Sequence, residues 1–496
     1  MASQSPNHVH KDIPGRPNPE TPSPIAGLPP ELLSLVFRFS LPMVDPMQEQ
    51  GDGEECWYYM TGIYTLRSIS TRWRDVIDTT PSMWALISSS WPREAIKTAL
   101  ARSSTIPIII HLGCEPVHHE ITLVREYLSL INPHRSRWAA AVLSIPMPLL
   151  FEFFAAPMPQ LHTLNLSFIH SRSNSPPPIT PILVETLGNL EHVLLETRDY
   201  ECGEALGLFT RLKTLVLSQI WSRCMTIDQI IQTISDNPFL ENLVLDGLNI
   251  QVDDTSTESR TALAAPPQLR TFGVKGSVTH LYSLMTRLEL PLSVEEVDIM
   301  ALAAEYSWQR SESNASLWIH AMQPLSPILQ RLHSEHDGST IFLEDGNRCG
   351  WATNVGIGGF KFEISGLDHR LGLKCIGSLA NELDCASGLP DLHLVLDSAF
   401  SAADLTLVAL KTVKTLASIE IRIGRKNTRI DKLVELISRM LEDAQDDPIH
   451  FPSLHTLSIR GRESDLDELA DKLQQRYSDN PPRPPFQLLL DVTISD

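Results

Sequence analysis

The sequence predicts an α+β chain in which a small all-helical module over residues 25–90 is followed by an α/β solenoid over residues 91–496. Three observations predict it. Apolar residues recur at helical spacing where the ordered part of the chain begins. A short leucine pattern then repeats along the remainder, its first six copies 29, 22, 28, 29 and 25 residues apart. Helix-like segments with one apolar stripe lie between several of those copies.

Residues 1–24 are rich in Pro, Ser and Asn and show almost no apolar periodicity, so they are expected to form a disordered tail. Leu28-Pro29-Pro30-Glu31 reads as the start of a helix, because proline is tolerated in the first turn, where its missing N–H would be unpaired anyway. Leu32, Leu33, Val36 and Phe37 follow as one apolar face, and Pro42 stops the pattern. Residues 43–60, acidic and glycine-containing, suggest a surface loop. In a second helical region Leu66, Ile69, Trp73, Val76 and Ile77 fall on one stripe, with Arg67, Arg72 and Arg74 off it. Thr79-Thr80-Pro81 ends it, and Met83-Trp84 adds an apolar anchor.

Beyond this module an L-x-x-L-x-L pattern recurs with aliphatic or aromatic substitutes. It runs through Leu161/Leu164/Leu166, Leu190/Val193/Leu195, Leu212/Leu215/Leu217, Leu240/Leu243/Leu245, Leu269/Phe272/Val274 and Val294/Val297/Ile299. Leu416/Ile419/Ile421 and Leu454/Leu457/Ile459 are later copies, and Trp138/Ala141/Leu143 is an earlier, degenerate one. Spacing and pattern are those of leucine-rich repeats, each unit being a strand plus a helix that needs its neighbours to bury its apolar face. Pro159-Gln160-Leu161-His162-Thr163-Leu164 is nearly copied at Pro267–Phe272 and again at Pro452–Leu457. Thr226 and Gln229 fit a capping box that opens a helix with Ile227, Ile230, Ile231 and Ile234 on its buried face. Leu433, Leu436, Ile437, Met440 and Leu441 make a similar stripe, as do Leu466, Leu469 and Leu473. Within residues 305–390, Phe360–Ile364 and Leu392–Leu396 suit strands, but the sequence does not assign their register with the repeat.

The order of these features carries a family resemblance. Leu28-Pro29-Pro30-Glu31-Leu32-Leu33-Ser34-Leu35-Val36-Phe37 resembles the opening of an F-box, and Leu66–Ile77, with its Ser70-Thr71-Arg72-Trp73-Arg74 core, resembles the second half. Pro81-Ser82-Met83-Trp84 is similar to the ending found there. The layout resembles the large F-box-like family of fungal proteins, with Ala99–Ser103 leading into a strand at Pro107–Leu112 and a leucine-rich region after it. The insertion at 43–60 is longer than a typical F-box loop.

The resemblance implies a substrate-recognition adaptor of a cullin-RING ubiquitin ligase. The helical module would dock a Skp-type adaptor, and the repeats would hold a target protein that the sequence does not identify. It implies Leu28 and Pro29 as the first contacts, Leu32, Leu33 and Val36 as groove-filling groups, and Trp73 as a large anchor. A cytoplasmic and/or nuclear place follows. The alternative is a leucine-rich-repeat interaction scaffold with no ligase association.

Other functions find little support in the residues. Sixty acidic against forty basic residues give a net charge of -20, which argues against nucleic acid as a partner. The seven cysteines form no CxxC pair, so free thiols in a reducing compartment are expected, with neither a disulfide framework nor a zinc site. The apolar run Ala139–Pro159 is long enough to cross a bilayer, but Pro146, Pro148, Pro157 and Glu152 interrupt it, so no membrane association is expected. No secretory leader is apparent. His118-His119-Glu120 would place neighbouring side chains on opposite faces of a strand, Gly356–Gly359 lacks the rest of a phosphate-binding loop, and no GxSxG elbow occurs. No enzyme, cofactor or metal is expected.

Overall fold

A computed structural model describes residues 24–47, 54–113, 121–146, 156–169, 189–196, 209–220, 225–248, 262–302, 312–335, 339–344, 348–353, 359–365, 392–397, 416–422, 430–446, 456–477 and 487–492, together with Leu149, Phe153, Phe154, Leu206 and Gly207. The expected tail over 1–24, apart from Pro24, lies outside them, as do His118-His119-Glu120 and residues 354–358.

After a 3-10 turn at Pro24–Gly27 come three helices, α1 (Pro30–Ser40), α2 (Glu54–Ile69) and α3 (Thr71–Asp78). A second 3-10 turn, Pro81–Trp84, leads into β1 (Leu86–Ser88), α4 (Arg93–Arg102), β2 (Ile108–Leu112) and α5 (Ile121–Ile131). There follow β3 (Trp138–Pro146), β4 (Thr163–Ile169), β5 (His192–Glu196), β6 (Thr214–Ser218), α6 (Ile227–Asp236), β7 (Asn242–Leu248) and β8 (Leu263–Ala264). Next are β9 (Thr271–Ser277), α7 (Val278–Met285), β10 (Leu288–Glu289), β11 (Glu296–Leu302), α8 (Glu312–Met322) and α9 (Ser326–Glu335). The last elements are β12 (Ser339–Glu344), β13 (Arg348–Thr353), β14 (Gly359–Ser365), β15 (Leu392–Asp397), β16 (Leu416–Arg422), α10 (Ile430–Asp446), β17 (Thr456–Gly461), α11 (Glu463–Arg476) and β18 (Gln487–Val492).

The fold is α/β, built on one large sheet. Its first nine positions run β1-β2-β3-β4-β5-β6-β7-β9-β11, every neighbour parallel, and β14-β13-β12-β15-β16-β17-β18 continue it. Only β13 is antiparallel to its two neighbours among the described strands of this sheet. This corrects the expectation of a small all-helical module followed by a separate leucine-rich-repeat solenoid. Residues 25–90 already contain the edge strand β1, and the buried side chains of α1–α3 belong to the same hydrophobic core as the sheet. The physical reason is size: three short helices bury too little surface to hold a core of their own, so they merge with the nearest one.

The leucine pattern nonetheless reads out as strands in register. Leu164, Val193, Leu215, Leu243, Phe272 and Val297 are successive cross-strand partners, and Leu166, Leu195, Leu217, Leu245, Val274 and Ile299 form the next row. All twelve side chains are buried, on the face that the helices cover. The repeated Pro-x-Leu wording has a turn as its cause. Leu161 N–H donates to the Met158 carbonyl, Leu240 to Asn237 and Leu269 to Pro266, placing Pro159, Pro238 and Pro267 at the second position of each turn. Proline's fixed φ suits that position. The apolar run from Ala139 begins as β3, a buried strand, and among the described residues no helix is long and apolar enough to cross a membrane.

The capping box forms as its residues suggest: Gln229 N–H donates to Thr226 Oγ1 at 3.2 Å and Thr226 N–H to Gln229 Oε1 at 2.8 Å. The strands expected at Phe360–Ile364 and Leu392–Leu396 are β14 and β15, now placed with β13 and β12 paired between them.

Candidate docking face on the N-terminal helices

Helix α1 is apolar on two sides. Leu33, Phe37 and the following Leu41 turn into the core, and Leu33 is 0% exposed. Leu32, Leu35, Val36 and Phe39 recur at i, i+3, i+4 and i+7 and face solvent, with Phe39 88% exposed and Met43 open just beyond. The single face expected of Leu32, Leu33, Val36 and Phe37 is therefore divided between core and surface. Leu33 is corrected from a contact residue to a core residue, because at full burial it cannot reach a partner. Pro29 is exposed at the helix start and Leu28 half-buried beside it.

The loop expected over 43–60 gives way to helix at Glu54, with Glu54 and Glu55 in the first turn, where acidic side chains favour the helix dipole. Its buried side is Cys56, Met60 and Ile63. Trp57 and Tyr58 are exposed large groups on α2 that sequence reasoning missed. The signal that could have exposed them is the four-residue step from Cys56 to Met60, which marks the inward side and leaves the aromatics off it.

The second expected helical stripe is broken at Ser70, whose backbone is extended and whose hydroxyl accepts from the Trp73 N–H at 3.1 Å. Ser70 thus caps α3 and ends α2, leaving Ile69 exposed. Trp73 is half-buried, its ring tilted against that of Phe37 with centroids 4.7 Å apart. Arg72, beside it, donates from Nη2 to the carbonyl oxygen of Leu28 across forty-four residues.

A polar node fixes this face to the sheet. Asp78, ending α3, accepts from Arg67 of α2 at 3.1 Å and from Arg102 of α4. Both guanidinium groups lie over the Trp84 ring, at 5.6 and 4.6 Å from its centroid, and Trp84 Nε1 donates to the Ile77 carbonyl at 2.9 Å. Partly desolvated cation–π contacts of this kind each contribute about 1 kcal/mol. The segment after α1 is tied farther along the sheet, where Asn165 Nδ2 of β4 donates to the Pro46 carbonyl at 3.0 Å.

Burial beneath this face favours the neutral forms of Cys56, Tyr59 and His111. Burial pushes the Cys56 thiol up to about 11 and the Tyr59 hydroxyl up to about 12, and Tyr59 donates to the Met83 carbonyl at 3.3 Å. A thiol so raised is no nucleophile at neutral pH. His111 of β2 faces Ser88 of β1, with Nδ1 and Oγ 3.5 Å apart, and burial pushes its imidazole below the ordinary value. Among the described residues no group of three or more His, Cys, Asp or Glu side chains could hold a metal ion. What the arrangement offers is an exposed apolar surface on rigidly held helices, which suits binding. No protein-family model matches the chain, and no curated protein matches it.

Proposed function

We propose that this chain is the substrate-recognition adaptor of a cullin-RING (Skp-cullin-F-box) ubiquitin ligase. In this reading the outer face of α1, with α2 beside it, docks a Skp-type adaptor, and the large parallel sheet holds a target protein. The observation that carries it is the stripe Leu32, Leu35, Val36 and Phe39, exposed on a helix whose opposite side is buried. A contiguous apolar surface rimmed by polar groups is the signature of a protein-binding face. The Leu28–Phe37 and Leu66–Ile77 segments, which resemble the two halves of an F-box, supply the identity of the partner. No chemistry is asked of the chain itself. Holding target and ligase on one body raises the effective concentration of the target's lysines at a separate conjugating enzyme. A cytoplasmic or nuclear place belongs to the same reading.

The test is co-purification of a Skp-type adaptor with the intact chain and with Leu32→Asp/Val36→Asp, two exposed positions that leave the core untouched. Retention by the intact chain and loss from the variant is the expected result. An intact chain that folds but retains no adaptor would instead be an interaction scaffold outside the ligase.

A further inference from the structure

The docking reading leaves Arg72, in the Ser70-Thr71-Arg72-Trp73 segment, without a role. Ser70 caps α3 and Trp73 anchors it on Phe37. Arg72 does neither, and reaches instead to the backbone of the turn that starts α1.

Among the described residues, that turn is held by few other hydrogen bonds. The position before α1 is Pro29, which offers no side-chain cap, and Pro30 begins the helix. Pro29 and Pro30 have no backbone N–H to anchor them. The 3-10 turn is closed by Leu28 N–H donating to the Ile25 carbonyl at 3.2 Å, and Leu33 N–H donates to the Pro29 carbonyl at 2.9 Å. Arg72 supplies a tertiary hydrogen bond to this turn, from a planar guanidinium whose fixed fork of donors suits a backbone carbonyl. A cation beside a helix N-terminus opposes the helix dipole. Its placement there therefore serves the turn rather than the helix.

We infer that Arg72 is a positioning residue for the docking face: it holds the Leu28–Pro30 turn so that Leu28, Pro29 and Leu32 present one surface. The inference rests on the docking reading above. Ser70, Arg72 and Trp73 then form one device. The cap fixes the first turn of α3, the ring seats that turn on α1, and the guanidinium sets where α1 begins. This also gives a physical reason for the two segments to occur together, since the turn in one is completed by the arginine of the other.

The experiment measures the affinity of the full chain for a purified Skp-type adaptor in wild type, Arg72→Ala and Arg72→Gln, the last keeping an N–H donor without the charge. Amide exchange at Leu28 and Leu33 and the thermal midpoint are read in parallel. Arg72→Ala is expected to weaken binding about tenfold and to raise exchange at both amides, with the midpoint close to wild type. Arg72→Gln is expected to recover part of both losses. Wild-type affinity in Arg72→Ala overturns the inference, as does weakened binding with unchanged exchange. A wild-type chain that does not bind the adaptor fails the docking reading itself, a separate result because it is seen without any variant.

Discussion

The Trp73 ring lies tilted by 54° against Phe37, their centroids 4.7 Å apart, and this pair joins the last of the three N-terminal helices to the first. Phe37 is buried and Trp73 half-buried, so the contact seals the outer edge of the shared core where the N-terminal helices meet it. Trp73→Ala is expected to cost about 3 kcal/mol, near the lower end for a large aromatic because part of the ring already meets water. Urea unfolding followed by far-ultraviolet dichroism measures it; a loss below about 1 kcal/mol would mean that the pair is peripheral.

The two sides of α1 should separate in the laboratory. Leu33→Ala removes a fully buried side chain and is expected to destabilise by about 3 kcal/mol. Val36→Ala, on the open side, should change stability by less than about 0.5 kcal/mol. Adaptor retention should follow Val36→Ala and its neighbour Leu32→Ala more closely than stability does. Paired denaturation and pull-down measurements decide the matter, and equal stability losses at Leu33 and Val36 would contradict the burial assigned to them.

Asp78 is shared by two arginines from different helices. Asp78→Asn keeps the shape and removes the charge, leaving two partly buried guanidinium groups facing a neutral amide over Trp84. A loss of about 1–3 kcal/mol is expected, between an exposed pair and a fully buried one. The loss should appear in whole-chain unfolding, because α2, α3 and α4 all meet at this point.

Stability should also fall with acid at His111. Burial lowers its folded value below the 6.5 of a free imidazole, so the unfolded chain binds the proton first. The contribution is intact above about pH 6.5 and is lost as pH falls below it, by at most about 1.4 kcal/mol per pH unit. His111→Gln cannot take up the proton. Between pH 7.5 and 5.5 the wild type should therefore lose more stability than the variant, and parallel curves would remove His111 as the cause.

Many of the strands were legible because the leucine pattern is a local, repeated signal. Leu161, Leu240 and Leu269 each enter a strand from a turn that their own neighbours build. The helical start at Pro30 and the capping box at Thr226 were legible for the same reason. The side on which each α1 leucine lies was not, since Leu32 and Leu33 differ only in what tertiary packing brings against them. Helix α2 was hidden by the acidic, glycine-containing stretch before it and by aromatics that point outward. The reversal at β13 depends on pairing with β12 and β14, and such pairing leaves no mark in the residues of one strand. Nor did composition reveal that the N-terminal helices and the sheet share one core. That merging is what changed the fold class.

The hydrogen bond from Asn165 to the Pro46 carbonyl has a mechanical meaning. It links the segment that follows α1 to an interior strand, in addition to the covalent path that leads to the edge strand β1. β4 is flanked on both sides by parallel neighbours, so loosening of the edge strand alone does not free that segment from the sheet. Fraying at the sheet's hem would leave this second tether in place.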